Sequence, residues 1–131
     1  MLPIRLLLVV VAIGVPCTHY ANLIGEHPAA WWHGYDEFPG EVNWWYPGIA
    51  TADYSIPFGT ELCVTVAGVP AWAEEEYSHL VGREARGVVV DRMPRGWGQA
   101  IDCWPALFRK LAGADWRRIG RVDVSYQVCG E

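Results

Sequence analysis

Residues 87–91 read GVVVD, and this continuous β-branched run predicts a fully buried strand that ends at an aspartate. Residues 61–66 (ELCVTV) alternate polar with apolar side chains, which is typical of a strand with one buried face. Residues 122–128 (VDVSYQV) repeat that alternation near the end of the chain. Three such segments predict a mainly β protein.

The region before the last strand predicts one short helix. Ile101–Asp102 is a brief extended piece, and Pro105 suits the first turn of a helix, where its missing N–H costs nothing. Apolar residues follow at helical spacing up to Gly113, a natural C-terminal stop (Leu107, Phe108 and Leu111). A helix that connects two strands indicates a crossover, so we expect a small closed barrel rather than a sandwich, with one short helix before the last strand.

Two further segments are less regular. We expect a short strand around Ala30–His33, followed by a long loop rich in Trp, Tyr, Gly and Pro. Residues 70–79, with three consecutive glutamates, predict a loop or a short helical turn.

Size and charge restrict the class of protein. The chain has 131 residues, of which 52% are hydrophobic, so it can bury the core of one domain. Its net charge of −5 argues against nucleic acid, which requires a basic face, and against an anionic membrane surface. We expect a monomer.

The amino terminus predicts a signal peptide over residues 1–20, with the barrel domain over residues 21–131. Arg5 precedes an uncharged apolar run from Leu6 to Val15. That run is too short to span the roughly 30 Å of bilayer hydrocarbon, but it suits a signal-peptide core. A buried first strand or helix is the alternative. Cys17 at the end of the run is a candidate for lipidation, although Pro16 stands where a small residue is expected before a lipidated cysteine.

Export makes disulfides the expected state of the cysteines. No CxxC spacing is present and the four histidines are scattered, so we predict no metal and no cofactor. Cys63 and Cys129 both lie in strand-like segments and are the preferred pair. Cys103 then stays unpaired, unless Cys17 remains in the mature chain and pairs as well.

The chain contains eight tryptophans, four of them in the adjacent pairs Trp31–Trp32 and Trp44–Trp45. Neighbouring side chains of a strand point to opposite faces, so one member of each pair tends to be exposed. Stacking on sugar rings and packing in the core both remain open.

Three carboxylates lie at strand ends or turns beside Gly or Pro, namely Asp53, Asp91 and Asp102. Asp91 follows the buried strand, so a rigid backbone carries its side chain to a rim. Asp102 precedes a helix start, where the partial positive charge favours an ionised carboxylate. Asp102 could equally be a helix cap, and Asp91 a plain turn residue.

Four stretches together resemble the double-psi β-barrel of the RlpA-like, 3D-domain and expansin-like superfamily, which implies a barrel of six strands. They are ATADYSIPFGTELCV (50–64), VVVDRMP (88–94), AIDCWPALFRKLAG (100–113) and GRVDVSY (120–126). In the three-aspartate branch, which includes lytic transglycosylases, the order Asp, Pro-Gly-Thr, Asp, Asp matches Asp53, Pro57 with Gly59–Thr60, Asp91 and Asp102.

The resemblance implies a secreted, periplasmic or cell-wall-associated protein acting on peptidoglycan or another β-1,4-linked glycan. Asp102 would be the general acid and base of a lytic transglycosylase, with Asp91 and Asp53 raising its pKa. The groove would be lined by Trp97, Trp45, Trp44, Trp32 and Tyr54, with Arg92 meeting substrate carboxylates. The alternatives are a non-catalytic, expansin-like carbohydrate-binding or wall-loosening module and a secreted inhibitor of a host enzyme.

Overall fold

The computed structural model describes residues 11–130, which form a closed barrel of six strands. The strands are β1 (Val11–His19), β2 (Gly48–Thr51), β3 (Glu61–Gly68), β4 (Glu84–Arg92), β5 (Ile101–Cys103) and β6 (Arg121–Val128). They follow one another around the barrel in the order β1-β5-β2-β4-β3-β6, and β6 pairs with β1 to close it. The prediction of a mainly β protein with a six-stranded barrel is confirmed.

Two of the strand pairs are parallel, β1 with β5 and β2 with β4, and the others are antiparallel. Closure pairs every strand on both sides and removes exposed sheet edges. The alternating residues of β3 and β6 fill the interior, where Leu62, Val64, Val122 and Val124 are buried. Period-two alternation in the sequence therefore corresponds to the inside and outside of the barrel.

Short helices connect the strands. They are α1 (Ala29–Trp32), α2 (Glu74–Tyr77), α3 (Pro105–Ala112) and α4 (Trp116–Ile119), with 3-10 turns at Ala21–Leu23, Ala71–Ala73, Ser78–Leu80 and Arg95–Trp97. The predicted helix before the last strand is α3, which buries Leu107, Phe108 and Leu111 and stops at Gly113. The structure adds α4 after it. Residues 71–80 form the helical turns expected there.

The strand expected at Ala30–His33 is wrong, because residues 29–32 form helix α1. The predicted long loop after it instead contains β2, whose four residues are all buried. A strand this short carries too little periodicity to be recognised. Gly48 begins it because a Cβ there would lie 2.4 Å from the Trp104 ring, so only glycine allows this close packing.

The segment assigned to a signal peptide contributes the first strand. Residues 1–10 lie outside the described part of the chain, whereas residues 11–19 form β1 and pair with both β5 and β6. Cleavage after residue 20 would therefore remove a strand of the barrel. Residues 11–19 are a strand in this structure, and the signal peptide over residues 1–20 and export both stay predictions.

A second, smaller core lies outside the barrel. Ile49 faces the barrel interior, whereas Ala50, the next residue of β2, belongs to a separate apolar cluster. That cluster includes Tyr20, Ala30 and Val42 from residues 20–47, which we call the covering segment, together with Trp104. The covering segment thus packs against the outer face of the strands that carry the candidate site.

A disulfide joins Cys63 on β3 to Cys129, which follows β6. This is the pair that the sequence favoured. It closes a loop with a sequence separation of 66 residues, for which the chain-entropy model gives about 4 kcal/mol of stabilisation. Cys17 and Cys103 are buried as free thiols.

Within residues 11–130, no helix is long and apolar enough to cross a bilayer.

Candidate functional site

Strand register brings Asp91 and Asp102 to the same outer face of the barrel. Ala50 on β2 lies opposite Asp102 on β5 and opposite Asp91 on β4, so the two aspartates flank one small methyl group. Thr18 on β1 lies opposite Asp102 on its other side. Adjacent strands are separated by about 4.8 Å, which gives roughly 10 Å between the two aspartate backbones. The result is a row of Thr18, Asp102, Ala50 and Asp91 across four strands.

Asp102 is partly buried and accepts one hydrogen bond, from the Thr18 hydroxyl at 2.8 Å. Burial raises its pKa to about 6, the Thr18 hydrogen bond opposes that rise, and the negative charge of Asp91 adds to it. Near pH 6 this carboxyl therefore exists in both protonation states. That is the property required of a group that first donates and then accepts a proton.

Asp91 is held by three donors. One oxygen accepts the backbone N–H of Ala29 and of Arg92, both at 2.8 Å, and the other accepts the Tyr20 hydroxyl at 3.3 Å. Burial raises its pKa, and these hydrogen bonds and the Arg92 charge lower it. Two of the three donors belong to the covering segment. Asp91 therefore anchors that segment to the barrel besides bringing a carboxylate near Asp102.

Tyr20 and Trp104 complete this cluster. The Trp104 indole N–H donates to the Tyr20 hydroxyl, which itself donates to Asp91. Burial, followed by the charges of Asp91 and Asp102, raises the pKa of Tyr20 well above its usual value, so Tyr20 stays neutral. Sequence reasoning missed Thr18 and Tyr20, which it assigned to the signal peptide. It expected Trp104 to form part of the groove wall, whereas Trp104 is fully buried.

Asp53 lies apart from this pair, just after the end of β2. One of its oxygens accepts the Ser55 backbone N–H at 3.0 Å and the Ser55 hydroxyl at 2.6 Å, an arrangement typical of a turn. Its charge acts on Arg92 and Tyr126. No hydrogen bond described for residues 11–130 joins it to Asp91 or Asp102. Two of the three predicted aspartates flank Ala50 on one face, and the third lies beyond the end of β2.

Arg92 and Tyr54 form a neighbouring cluster. The Arg92 guanidinium donates to the Thr51 hydroxyl at 2.9 Å and lies over the rings of Phe58 at 4.3 Å and Tyr54 at 5.1 Å. Arg95 also lies over the Tyr54 ring, at 4.2 Å. Arg92 is therefore partly a structural residue, whereas Arg95 is exposed beside it.

The tryptophans predicted to line the groove are exposed and belong to different segments of the chain. Trp32 is 71% exposed on α1, Trp45 is 70% exposed in the loop before β2, and Trp97 is 61% exposed beyond β4. Trp31 stacks on His27 at 3.7 Å, so α1 presents a small aromatic cluster. Trp44 lies near Arg117, in a different environment from Trp45. Both members of each pair are at least partly exposed, because neither pair lies in a strand.

These features define the class as a closed six-stranded β-barrel with one formed disulfide and a covered outer face. Among solved structures, the fold is similar to the Streptomyces papain inhibitor (SPI), with a TM-score of 0.59. The match covers 92% of this chain and 96% of that chain at 19% sequence identity, which supports the likeness of fold alone. No protein-family model matches the chain. No curated protein matches it either.

Proposed function

We propose that this is a secreted, wall-associated protein that cleaves peptidoglycan or another β-1,4-linked glycan, with Asp102 as its acid and base. The observation that carries the proposal is the partly exposed Asp102 carboxyl, whose pKa is raised to about 6. It lies on the strand next to Ala50, and the Asp91 carboxylate lies on the strand beyond Ala50. The resemblance of residues 88–94 and 100–113 to the double-psi family supports the same two positions.

In the proposed mechanism, protonated Asp102 donates its proton to the glycosidic oxygen as the bond to the anomeric carbon breaks. The resulting carboxylate then accepts the proton of the sugar's own 6-hydroxyl, whose oxygen attacks the anomeric carbon. Asp102 ends protonated again, and the product carries a 1,6-anhydro ring. Asp91, kept in position by three donors, supplies negative charge that raises the pKa of Asp102 and stabilises positive charge at the anomeric centre.

Digestion of purified sacculi tests this activity. Wild-type protein should release anhydro-muropeptides detectable by mass spectrometry, and Asp102→Asn should abolish release because it can no longer cycle a proton. Asp123→Asn is a matched control, since this aspartate lies on β6 and pairs with Arg121 at 3.1 Å. Products with a reducing end, one water heavier, would instead indicate hydrolysis. Absence of any product would contradict the enzyme proposal.

A non-catalytic binding module is the nearest alternative, and sacculus pull-down distinguishes it. If wild-type protein releases nothing but sediments with sacculi, and Trp97→Ala or Trp45→Ala prevents sedimentation, the exposed tryptophans bind glycan without cleavage. Trp72→Ala is a suitable control because Trp72 is also exposed, at 59%, but lies before α2.

Inhibition of a cysteine protease is a second candidate, favoured by the likeness to the Streptomyces papain inhibitor over nearly the full length of both chains. Exposed tryptophans are also common anchors in protein interfaces. Papain activity assayed with increasing protein tests this candidate. Inhibition that Trp45→Ala weakens, together with no action on sacculi, would favour it over the glycan proposal.

A further inference from the structure

Two adjoining clefts on the α3–α4 side of the molecule share the exposed ring of Trp44. Their volumes are about 480 and 550 Å³, and both are lined by Trp44, Arg109 and Ala114. The Trp44 side chain is 50% exposed, so its ring is open to a ligand. None of the residues of the aspartate row lines these clefts.

Positive charge is concentrated in the same clefts. Their lining contains five of the ten lysines and arginines of the whole chain, namely Arg83, Arg109, Lys110, Arg117 and Arg118. The single carboxylate in the lining, Asp115, accepts a hydrogen bond from the Tyr77 hydroxyl at 2.7 Å. The lining therefore carries +4 in a chain whose net charge is −5, so the rest of the protein carries −9.

Most of this charge has no ion-pair partner among the residues that the structure describes. Arg118 pairs with Glu76 at 2.6 Å, but within residues 11–130 no ion pair joins the other four cations to a carboxylate. Arg117 lies over Trp44 at 5.6 Å and over Trp116 at 4.7 Å, which holds a guanidinium next to the half-exposed Trp44 ring. A flat apolar surface and unpaired cations thus occur side by side.

We propose that these clefts bind a short acidic oligosaccharide segment. One pyranose ring stacks on Trp44, and its carboxylate or sulfate groups pair with Arg109, Lys110 and Arg117. A nucleic acid fits less well, because the clefts offer one exposed ring for stacking and the remaining −9 of charge repels a long polyphosphate. This site goes beyond the proposed glycan cleavage, and it is independent of Asp102.

Calorimetric titration of the full chain with three probes tests the site. They are an oligogalacturonate, a neutral cello-oligosaccharide of equal length and a single-stranded oligodeoxynucleotide. The oligogalacturonate should bind most tightly, and its binding should weaken with added salt. Arg117→Gln and Trp44→Ala should each raise its Kd about tenfold. Arg86→Gln, an exposed arginine beside Glu61, and Trp72→Ala should leave the Kd unchanged.

Asp102→Asn should also leave this Kd unchanged, which separates failure of this proposal from failure of the cleavage proposal. Tighter binding of the oligonucleotide would overturn the proposal in favour of nucleic acid. Equal binding of the neutral oligosaccharide, no binding of the acidic one, or an equal loss in the control variants would overturn it outright.

A separate observation concerns Cys17 on β1 and Cys103 on β5, both buried in the barrel interior. Their sulfur atoms lie 3.3 Å apart, and the two strands are direct neighbours. We infer that these cysteines form a second disulfide during oxidative folding. Oxidised glutathione would serve as the oxidant: the two thiols lose two protons and two electrons, and the glutathione disulfide is reduced to two glutathione thiols.

Intact mass of the protein refolded with oxidised and reduced glutathione tests this second inference. Two disulfides make the chain four hydrogens lighter than its reduced form, and proteolysis without reductant should yield a peptide pair linking Cys17 to Cys103. The variant Cys63→Ser/Cys129→Ser should still be two hydrogens lighter than its reduced form. Alkylation of both Cys17 and Cys103 after denaturation without reductant would overturn the inference.

Discussion

Replacement of Asp102 by Asn should stabilise the protein at alkaline pH. The native state raises the pKa of Asp102 from its usual 3.8 to about 6, so the native carboxyl holds its proton more tightly than the unfolded one does. Stability from this group is therefore complete below pH 3.8 and is lost as the pH rises to about 6. Above that pH, the buried charge costs about 3 kcal/mol.

Asn has the shape of Asp without its charge, and its side-chain oxygen can still accept the Thr18 hydroxyl. Its NH₂ group needs a partner that the carboxylate did not need, which reduces the gain to about 1–3 kcal/mol at pH 8. At pH 4, where the native carboxyl is mostly protonated, the wild-type protein and the variant should differ by less than about 1 kcal/mol.

Urea denaturation of the oxidised protein at pH 4 and pH 8 measures this difference, with Asp123→Asn as the control for loss of one charge. An increase in the free energy of unfolding confined to pH 8 would support a proton-holding role of Asp102. Equal stability of the variant and wild type at pH 8, or the same difference at both pH values, would refute the reasoning.

The remaining predictions concern packing, cross-linking and pH. Gly48→Ala should lower the free energy of unfolding by about 2 kcal/mol or more, because its Cβ meets the Trp104 ring at 2.4 Å. Gly96→Ala, with nothing within 4 Å, should change it little in the same urea titration. Cys63→Ser/Cys129→Ser should lower the free energy of unfolding by about 4 kcal/mol and lower the thermal midpoint. An unchanged free energy of unfolding would contradict the entropic estimate. Any glycan cleavage should fall as the pH rises above about 6, because the acid must be protonated, and product release rising towards pH 8 would exclude this acid.

The amino-acid sequence alone determined the elements whose patterns are local. Strands β3, β4 and β6 follow from alternation or from a β-branched run, and α3 follows from Pro105, helical spacing and the stop at Gly113. The pairing of Cys63 with Cys129 was also accessible, because two strand-like segments each offered one cysteine. These signals survive in a single sequence since each depends on neighbours along the chain.

Tertiary structure decided the remaining features, because each depends on pairing between distant segments. The apolar run that contains β1 suits both a signal-peptide core and a buried strand, and only the tertiary structure shows that residues 11–19 pair with β5 and β6. Register selected Asp91 and Asp102 as neighbours of Ala50 and left Asp53 at the barrel end. Thr18 reaches Asp102 across a separation of 84 residues, a contact that no local pattern records because strand register is a property of the closed barrel.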